Sequence, residues 1–483
     1  MKVKVPVLTT FSLQFPRWAT AVGALAIMVF LIAGGDLVPL AAATGLMFFA
    51  VISWYQPIPL VLMLLVLSTE VFQFVSLEHT PYLQLAPGTR LNSQDIAVLL
   101  LLLLGGLQLL RRREWPMFGR PLFFLFASIL LASVFGWMAG TTNPGASLNA
   151  FRAYSGYLFY VGLVGVLDRP KTVKAVVNIV FVIIVISVCI QLVEAAQGER
   201  IVSPLAPASE YFGSTKYVDS GGTRVPYLWN RATGYLFLGL FLAFGVFFAG
   251  QVNTKHILIG LWAGTGLVIA LVRQWLVLFV CGVLMLGMLL QGARLRMIVR
   301  FIAVGALILA VLIWISRLIP GLALLEALRA RVNTIIFFQE EANYVGRILI
   351  QRQMLTMFGH SPMLGYGPGS GLIVSDVGIH NALVELGLVG TASIVYLIGF
   401  VFVKGYRGLK RMTSSLFKGY LGGLLAAWAA LAVGYSFSVD FIGQMSMMTG
   451  LAMALLDRTC TFAGEEGTPE SLSLELRNLQ PAG

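Results

Sequence analysis

Long apolar runs separated by short polar stretches make up most of the chain. A helix that crosses the hydrocarbon core of a bilayer needs about 20 mostly apolar residues, and about fourteen runs approach that length. The runs are continuous and rich in Leu, Ala and Gly, so they predict helices rather than the alternating strands of a membrane barrel. The predicted spans are approximately 18–34, 37–54, 57–77, 94–110, 119–138, 148–167, 175–194, 233–250, 256–272, 274–292, 300–319, 380–403, 419–437 and 439–456.

Composition supports this class. Hydrophobic residues make up 58% of the chain and charged residues 11%, which excludes an ordinary soluble protein. The net charge of +12 fits loops at an anionic membrane surface, and we find no nucleic-acid-binding motif. We therefore predict an all-α, polytopic integral membrane helix bundle.

The basic residues between the spans predict the orientation. In a fourteen-span arrangement, four basic clusters and both termini fall on one side, as cytoplasmic loops do. We predict a single transmembrane domain over 1–457 and a disordered cytoplasmic tail over 458–483. The first span lacks a small-residue cleavage site and is interpreted as an anchor. The basic clusters are Arg111–Arg113, Arg169/Lys171/Lys174, Arg294/Arg296/Arg300 and Lys404/Arg407/Lys410/Arg411.

Two long segments, 195–232 and 320–379, lie on the opposite, periplasmic side of this arrangement. The second has apolar residues at helical spacing in two stretches, followed by the cluster Gly365–Ser370, which is typical of a rigid turn. We expect two helices on the membrane surface, joined by a tight loop to the span that begins at His380. The alternative is a mobile loop without a site. The two stretches are 323–331 and 344–358.

Two arginines, Arg273 on the periplasmic side and Arg152 within a span, stand in unfavourable places. Arg273 lies between two apolar runs with almost no loop, and a charge so close to hydrocarbon indicates a functional site by default. The structural alternative is a side chain that extends to the interface. Arg152, inside the predicted span 148–167, fits a transporter better than an enzyme.

His380 is one of four histidines in the chain and opens a span, followed by Asn381. An imidazole exchanges protons near neutral pH. Beside fixed positive charge, such a base suits chemistry on an anionic, lipid-linked substrate. The structural alternative is an interfacial histidine that caps a helix. His360, before Ser361-Pro362, is interpreted as a turn residue.

No metal site is readable. The three cysteines, at positions 189, 281 and 460, show no disulfide framework or metal-ligand spacing. The carboxylates on the periplasmic side form neither an Asp-x-Asp pair nor a Glu/His cluster. We predict neither a metal nor a cofactor.

Three motifs combine these residues. The first is Arg224 with Asn230 before a span, and the second is Arg273 at the start of an aromatic and aliphatic run. The third continues from Arg347 through the glycine-rich turn to His380-Asn381. In these motifs, over about residues 195–405, the chain resembles the O-antigen ligase and O-antigen polymerase family of bacterial envelope polysaccharide assembly.

The chain also departs from this family. Gln274 replaces the small residue that usually follows the second arginine. Arg231, followed by Ala232-Thr233-Gly234, is an alternative to Arg224 as the first site arginine.

The resemblance implies a bundle similar to lipid-dependent (GT-C-like) membrane glycosyltransferases of the bacterial inner membrane, with a large periplasmic loop. Its members take a glycan from an undecaprenyl-diphosphate-linked donor, with inversion at the anomeric carbon and no required metal. Polymerases transfer the glycan to another lipid-linked repeat unit, and ligases transfer it to lipid A core. A separate partner that regulates chain length is a further expectation.

The residue chemistry fits these roles. Arginines bind phosphate oxygens in bidentate fashion, so Arg224 and Arg273 are expected to hold the diphosphate, with Arg347 as a third. His380 is expected to take the proton of the acceptor hydroxyl. We favour a polymerase, because a ligase is expected to be shorter and to have fewer spans. The alternatives are a ligase and a lipid-linked glycan flippase. Further expected substrate-binding residues are Asn230, Arg231, Tyr366 and Asn381.

Overall fold

The computed structural model describes thirteen ranges of the chain, which hold most of its apolar runs. The predicted spans 18–34, 37–54 and 300–319 lie outside these ranges, as does the first predicted surface helix. The described ranges are 56–69, 83–86, 89–91, 93–197, 217–220, 223–226, 232–251, 253–270, 273–290, 342–371, 377–437, 440–443 and 445–465.

Helices account for most of the described residues, and a 3-10 turn at Arg152–Tyr154 joins the fourth helix to the fifth. The helices are α1 (Ile58–Thr69), α2 (Ser93–Arg112), α3 (Gly119–Met138), α4 (Pro144–Phe151), α5 (Ser155–Val166), α6 (Pro170–Gln197), α7 (Ala232–Phe248), α8 (Thr254–Ile269), α9 (Arg273–Leu290), α10 (Ala342–His360), α11 (Gly378–Arg411), α12 (Ser415–Tyr435) and α13 (Ser446–Glu465).

Two short antiparallel hairpins, which the apolar pattern did not predict, complete the described fold. The first pairs β1 (Leu83–Ala86) with β2 (Thr89–Leu91). The second pairs β3 (Tyr217–Ser220) with β4 (Thr223–Pro226), inside the predicted loop 195–232.

The helices fit a membrane. Four of those described, α3, α6, α11 and α12, are long and apolar enough to cross a bilayer. Three shorter helices, α7, α8 and nearly all of α9, are also apolar. The prediction of a helical, membrane-embedded protein is therefore confirmed, and the total of about fourteen spans stays a prediction.

Contacts between the ends of the described helices give the bundle two ends of different character. At one end Lys255 donates to Asn178 at 2.8 Å and Gln251 donates to Ser415 at 2.6 Å. We call this the basic end, since the described members of the predicted basic clusters lie there. The opposite end, which carries residues 361–371 and the turn between α3 and α4, is the loop end.

Glycines let some helices touch backbone to backbone. A Cβ at Gly105 on α2 would clash with the carbonyl oxygen of Gly162 on α5, and one at Gly165 would clash with Gly105. Helices α7 and α12 meet in the same way at Gly245 and Gly423. Small residues allow this close approach within a membrane, where van der Waals packing replaces the hydrophobic driving force.

The predicted span 148–167 is not one helix. Asn143 accepts from the N–H of Ala146 at 2.8 Å and, with Pro144 next, begins the short helix α4. The chain then turns through the 3-10 segment before α5 begins. Arg152, in that segment, pairs with Asp95 at the start of α2, with 3.1 Å between Nε and Oδ2. Its position within a span is therefore corrected: the charge lies in a turn and has a carboxylate partner.

The predicted tail begins too early, because α13 continues to Glu465. Asp457 and Arg458 are only 2% and 5% exposed. The Asp457 carboxylate accepts from the Tyr160 hydroxyl at 2.6 Å and from the Met117 N–H at 2.7 Å. Arg458 donates to the Val164 carbonyl at 2.8 Å. These partners keep residues 458–465 helical, and residues 466–483 lie outside the described part.

We expect Asp457→Ala to destabilise the protein by about 2–4 kcal/mol, because each buried polar group left without a partner costs about 1–3 kcal/mol. The donors left without an acceptor are the Tyr160 hydroxyl proton, whose oxygen still accepts from the Phe118 N–H, and the Met117 N–H. Asp457→Asn keeps an acceptor oxygen and should cost less. The measurement is the thermal unfolding midpoint of the purified protein in detergent.

The matched control is Asp168→Ala. Asp168 pairs with Arg112 at 3.6 Å in a partly exposed position, and such pairs contribute about 0–1 kcal/mol. Equal midpoints for Asp457→Ala and Asp168→Ala would contradict a stabilising role for the Asp457 contacts.

Candidate functional site

His380 lies in the first turn of α11, at the loop end of the bundle. Its backbone N–H donates to the Val377 carbonyl at 3.1 Å. Two residues earlier, Gly378 packs so tightly against the Tyr435 ring that a Cβ would clash with it. The His380 side chain is half-buried, and its Nδ1 is buried without a hydrogen-bond partner in the structure. Because the ring is only half-buried, its exposed part can exchange a proton with a substrate.

Helix α11 is broken seven residues after His380. Gly387 has φ 64° and ψ −164°, a conformation that is essentially restricted to glycine. A Cβ at this position would also clash with the Met363 carbonyl. The break separates a first segment (378–386), which carries His380, from the longer part of α11 that reaches the basic end.

A glycine loop (361–371) lies against this break. Gly365, Gly367, Gly369 and Gly371 all have positive φ, between 67° and 88°, so the chain reverses repeatedly within a few residues. The predicted turn is therefore confirmed. The predicted helix at 344–358 is confirmed too, as α10, which leads directly into the loop, and its position on the membrane surface stays a prediction.

Backbone hydrogen bonds join the glycine loop to both sides of the break. The N–H of Tyr366 donates to the Val384 carbonyl and that of Gly367 to the Glu385 carbonyl, both at 2.9 Å. Beyond the break, Leu388 donates to the Pro362 carbonyl at 2.9 Å. The loop thus supplies partners to groups that a continuous helix would satisfy internally.

The turn between α3 and α4 holds the other side of the loop through hydroxyl groups. Thr141 Oγ1 donates to the Tyr366 carbonyl at 2.6 Å. Ser147 Oγ donates to the Pro368 carbonyl at 3.1 Å and accepts from the Trp137 indole N–H at 2.9 Å. The loop is therefore fixed between two helical elements that are distant in sequence.

The hydroxyl and both backbone groups of Tyr366 are hydrogen-bonded within this packing. Its hydroxyl donates to the Met357 carbonyl of α10 at 3.1 Å, and both its backbone groups bond to other elements. The structure therefore places Tyr366 as a packing residue of the loop rather than as a free hydroxyl for a sugar.

Two carboxylates lie near the first segment of α11. Glu385 and Asp440 interact electrostatically with each other and with Tyr154 and Tyr435. The Glu385 carboxylate also interacts with the backbone N–H of Gly369 in the glycine loop. Asp440 follows α12 and accepts from the Gly443 N–H at 2.9 Å. Together they form an acidic and aromatic cluster at the loop end.

Sequence reasoning missed this cluster. Asp440 lies at the start of the predicted span 439–456, and a charge so close to hydrocarbon is the same signal that drew attention to Arg273. Glu385 is five residues from His380, which is not the spacing of one helical face. It is four residues from Asn381, which places these two on one face of the segment.

The helix of Arg273 begins at the same end as His380. Leu278, on the second turn of α9, packs against Gly434 of α12, where a Cβ would lie 2.9 Å from Leu278 Cδ2. The next residue, Tyr435, packs against Gly378. Helices α9 and α11 therefore both start beside the end of α12. The Arg273 side chain lies outside the described part of the structure.

The other predicted site residues are placed through the backbone. Arg224 lies on β4 directly opposite Asp219 on β3, and Arg347 lies in α10. The side chains of both arginines, and Asn230 and Arg231 entirely, lie outside the described part. Asn381 follows His380 on the first segment of α11, half-buried.

No protein-family model matches the sequence, and no curated protein matches it either. The resemblance to O-antigen ligases and polymerases therefore stays a prediction. Within the described ranges, no three His, Cys, Asp or Glu side chains are grouped so that they could hold a metal ion.

We expect Gly387→Ala to destabilise the protein by several kcal/mol. A residue with a side chain in this conformation costs on the order of 1–3 kcal/mol, and the methyl group would clash with the Met363 carbonyl. The matched control is Gly399→Ala on the same helix, where a Cβ meets nothing within 4 Å. Alanine there should be neutral or stabilising by up to about 1 kcal/mol. Thermal unfolding in detergent compares the two variants, and equal midpoints would show that the break is not required.

Proposed function

We propose that this chain is a membrane glycosyltransferase of the polysaccharide polymerase type. It transfers a glycan from an undecaprenyl-diphosphate-linked donor to the sugar hydroxyl of an acceptor repeat unit, without a metal. The proposal places the loop end in the periplasm and both termini in the cytoplasm of a bacterium, as the positive charge at the basic end favours.

The observation that carries the proposal is the environment of His380. The imidazole lies at the end of the bundle opposite the basic clusters, on a segment held by backbone hydrogen bonds. Its Nδ1 has no partner in the structure. The ring is only half-buried, and it makes no hydrogen bond to the helix through Nδ1. A half-buried imidazole on a fixed backbone suits a general base, whereas a histidine that caps a helix would use a ring nitrogen to bond the helix backbone.

In the proposed reaction, His380 accepts the proton of the acceptor hydroxyl. The hydroxyl oxygen forms a bond to the anomeric carbon as the bond from that carbon to the diphosphate oxygen breaks. The leaving diphosphate carries the displaced electron pair, and guanidinium groups at Arg224 and Arg273 stabilise its growing charge. A positioned base contributes about 10²–10⁴-fold to the rate.

The arginine pair is expected to act near the bilayer, where the lowered dielectric strengthens its interaction with phosphate. The backbone of Arg273 is at the loop end, where α9 starts beside the end of α12, and Arg224 lies on the hairpin that contacts α6. The location of Arg273 supports a common role with His380.

The flippase alternative has lost its main support. Arg152 favoured a transporter as an isolated charge within a span, but it lies in a turn beside Asp95. The ligase alternative differs from the polymerase only in its acceptor, so the choice between them depends on the substrate test.

The direct test incubates the purified chain with an undecaprenyl-diphosphate-linked repeat unit, alone and with lipid A core. We expect a ladder of products from the repeat unit alone, and product only with core would indicate a ligase. His380→Ala should reduce the rate by about 10²–10⁴-fold. His360→Ala, at the exposed end of α10, is the control and should retain activity. Near-normal polymer from His380→Ala would rule out the base role.

A second test addresses the arginines. We expect Arg273→Ala to lower kcat/KM by about 10²–10³-fold and Arg273→Lys to lower it less, because lysine keeps the charge but not the bidentate geometry. Arg352→Ala, on the exposed face of α10, should change it little. If Arg273→Ala kept the wild-type value, Arg273 would not bind the diphosphate.

A further inference from the structure

The first segment of α11 needs support from outside its own helix. Gly387 interrupts the segment's continuity with the rest of α11, and the segment is only about two turns long. Isolated helices of this length are not stable by themselves. The direction in which the segment presents His380 therefore depends on what it contacts.

One relay of hydrogen bonds connects the segment to the turn between α3 and α4. Thr141 Oγ1 donates to the Tyr366 carbonyl at 2.6 Å, and the Tyr366 N–H donates to the Val384 carbonyl at 2.9 Å. Val384 lies one helical turn after His380, and α-helical geometry directs its own N–H to the His380 carbonyl. A side chain of α3–α4 thus reaches the backbone of His380 through a single residue of the glycine loop.

The Thr141 hydroxyl forms the shorter of the two hydrogen bonds that Tyr366 makes in this relay. Its 2.6 Å distance to Tyr366 is shorter than its 3.2 Å distance to the Gly136 carbonyl, so its single proton is directed mainly at the loop. Ser147 and Thr142 both direct hydroxyls at the Pro368 carbonyl, at 3.1 and 3.3 Å. They hold the loop two residues further along.

We propose that Thr141 is a positioning residue for His380, acting through the glycine loop. This inference rests on the proposed function only in that His380 is the base. Loss of the hydroxyl frees Tyr366 from α3–α4 and lets the first segment of α11 change its angle. A misplacement of about 1 Å at a reacting group can cost on the order of 10²-fold in rate.

The test compares Thr141→Val, which keeps the shape and removes the hydroxyl, with Thr141→Ser, which restores it. Thr265→Val is the matched control, because Thr265 donates only to Leu261 within α8. Each purified full-length protein is treated with diethyl pyrocarbonate without substrate, and acylation of each histidine is followed by mass spectrometry. The four histidines of the chain give separate signals.

We expect His380 to be acylated several-fold faster in Thr141→Val, and at the wild-type rate in Thr141→Ser and Thr265→Val. His256, buried at the basic end between Phe181 and Tyr420, reports on global folding and should not change. Equal His380 rates in wild type and Thr141→Val would overturn the proposal. If His256 also became reactive in Thr141→Val, that variant would have lost its fold, and the same measurement would be made on Ser147→Ala. We expect faster acylation of His380 in Ser147→Ala, and a wild-type rate there would overturn the proposal.

Kinetics supply the second measurement. With the lipid-linked donor, Thr141→Val should lower kcat about fivefold and leave KM within about twofold, since one hydrogen bond is worth about 1 kcal/mol and substrate contacts are unchanged. A rise in KM alone would overturn positioning. If wild type transferred no glycan while acylation behaved as expected, the proposed function would fail and the relay to His380 would stand.

Discussion

The constraint on which the loop end depends is the hydrogen bonding of the backbone at Gly387. Within an apolar bundle, each peptide group left unpaired costs several kcal/mol, and for this reason membrane proteins tolerate broken helices only where other protein groups replace the lost bonds. In this protein the glycine loop supplies N–H donors to Val384 and Glu385, and carbonyl acceptors to Leu388 and Val389. The break and the loop therefore require each other.

That mutual requirement explains the glycines of the loop. A chain that pairs with both sides of a break must reverse direction every second residue, and positive φ at Gly365, Gly367 and Gly369 provides the reversals. Side chains at these positions would also meet backbone or side-chain atoms of α11, α3 and α4. Hydroxyl donors from Thr141 and Ser147 then take the loop carbonyls that face away from α11.

The two ends of the bundle are held in different ways. At the basic end a buried carboxylate, Asp457, accepts from Tyr160 and from a backbone N–H, and Arg458 donates to a carbonyl and to Glu114 at 3.0 Å. The Arg458 charge is paired there with the Glu114 carboxylate. At the loop end Glu385 and Asp440 instead interact with each other and with tyrosines.

Local sequence predicted the helical membrane class, the helix at 344–358 and the glycine turn, because each depends on local composition. It could not predict the break at Gly387, since a single glycine in an apolar run is ordinary in membrane helices. The early end predicted for the last helix, at residue 457, has a similar cause. In the sequence, two charged residues at 457 and 458 indicate the end of a span. Their partners, Met117 and Glu114, are more than 300 residues away and could not be predicted locally. The Thr141 contact with Tyr366 is likewise non-local.

The break also separates the part of α11 that faces the lipid from the segment that carries His380. The part after Gly387 faces the lipid with side chains such as Leu388, Val395 and Val403, which are 46–56% exposed, and a span of this kind adjusts its tilt to bilayer thickness. A base carried rigidly on such a span would move with every adjustment. Because the first segment is held by the glycine loop and α3–α4, the direction of His380 is set by protein contacts. In the proposed transfer, contacts of the glycine loop on both sides of the break set the position of the base relative to the acceptor hydroxyl.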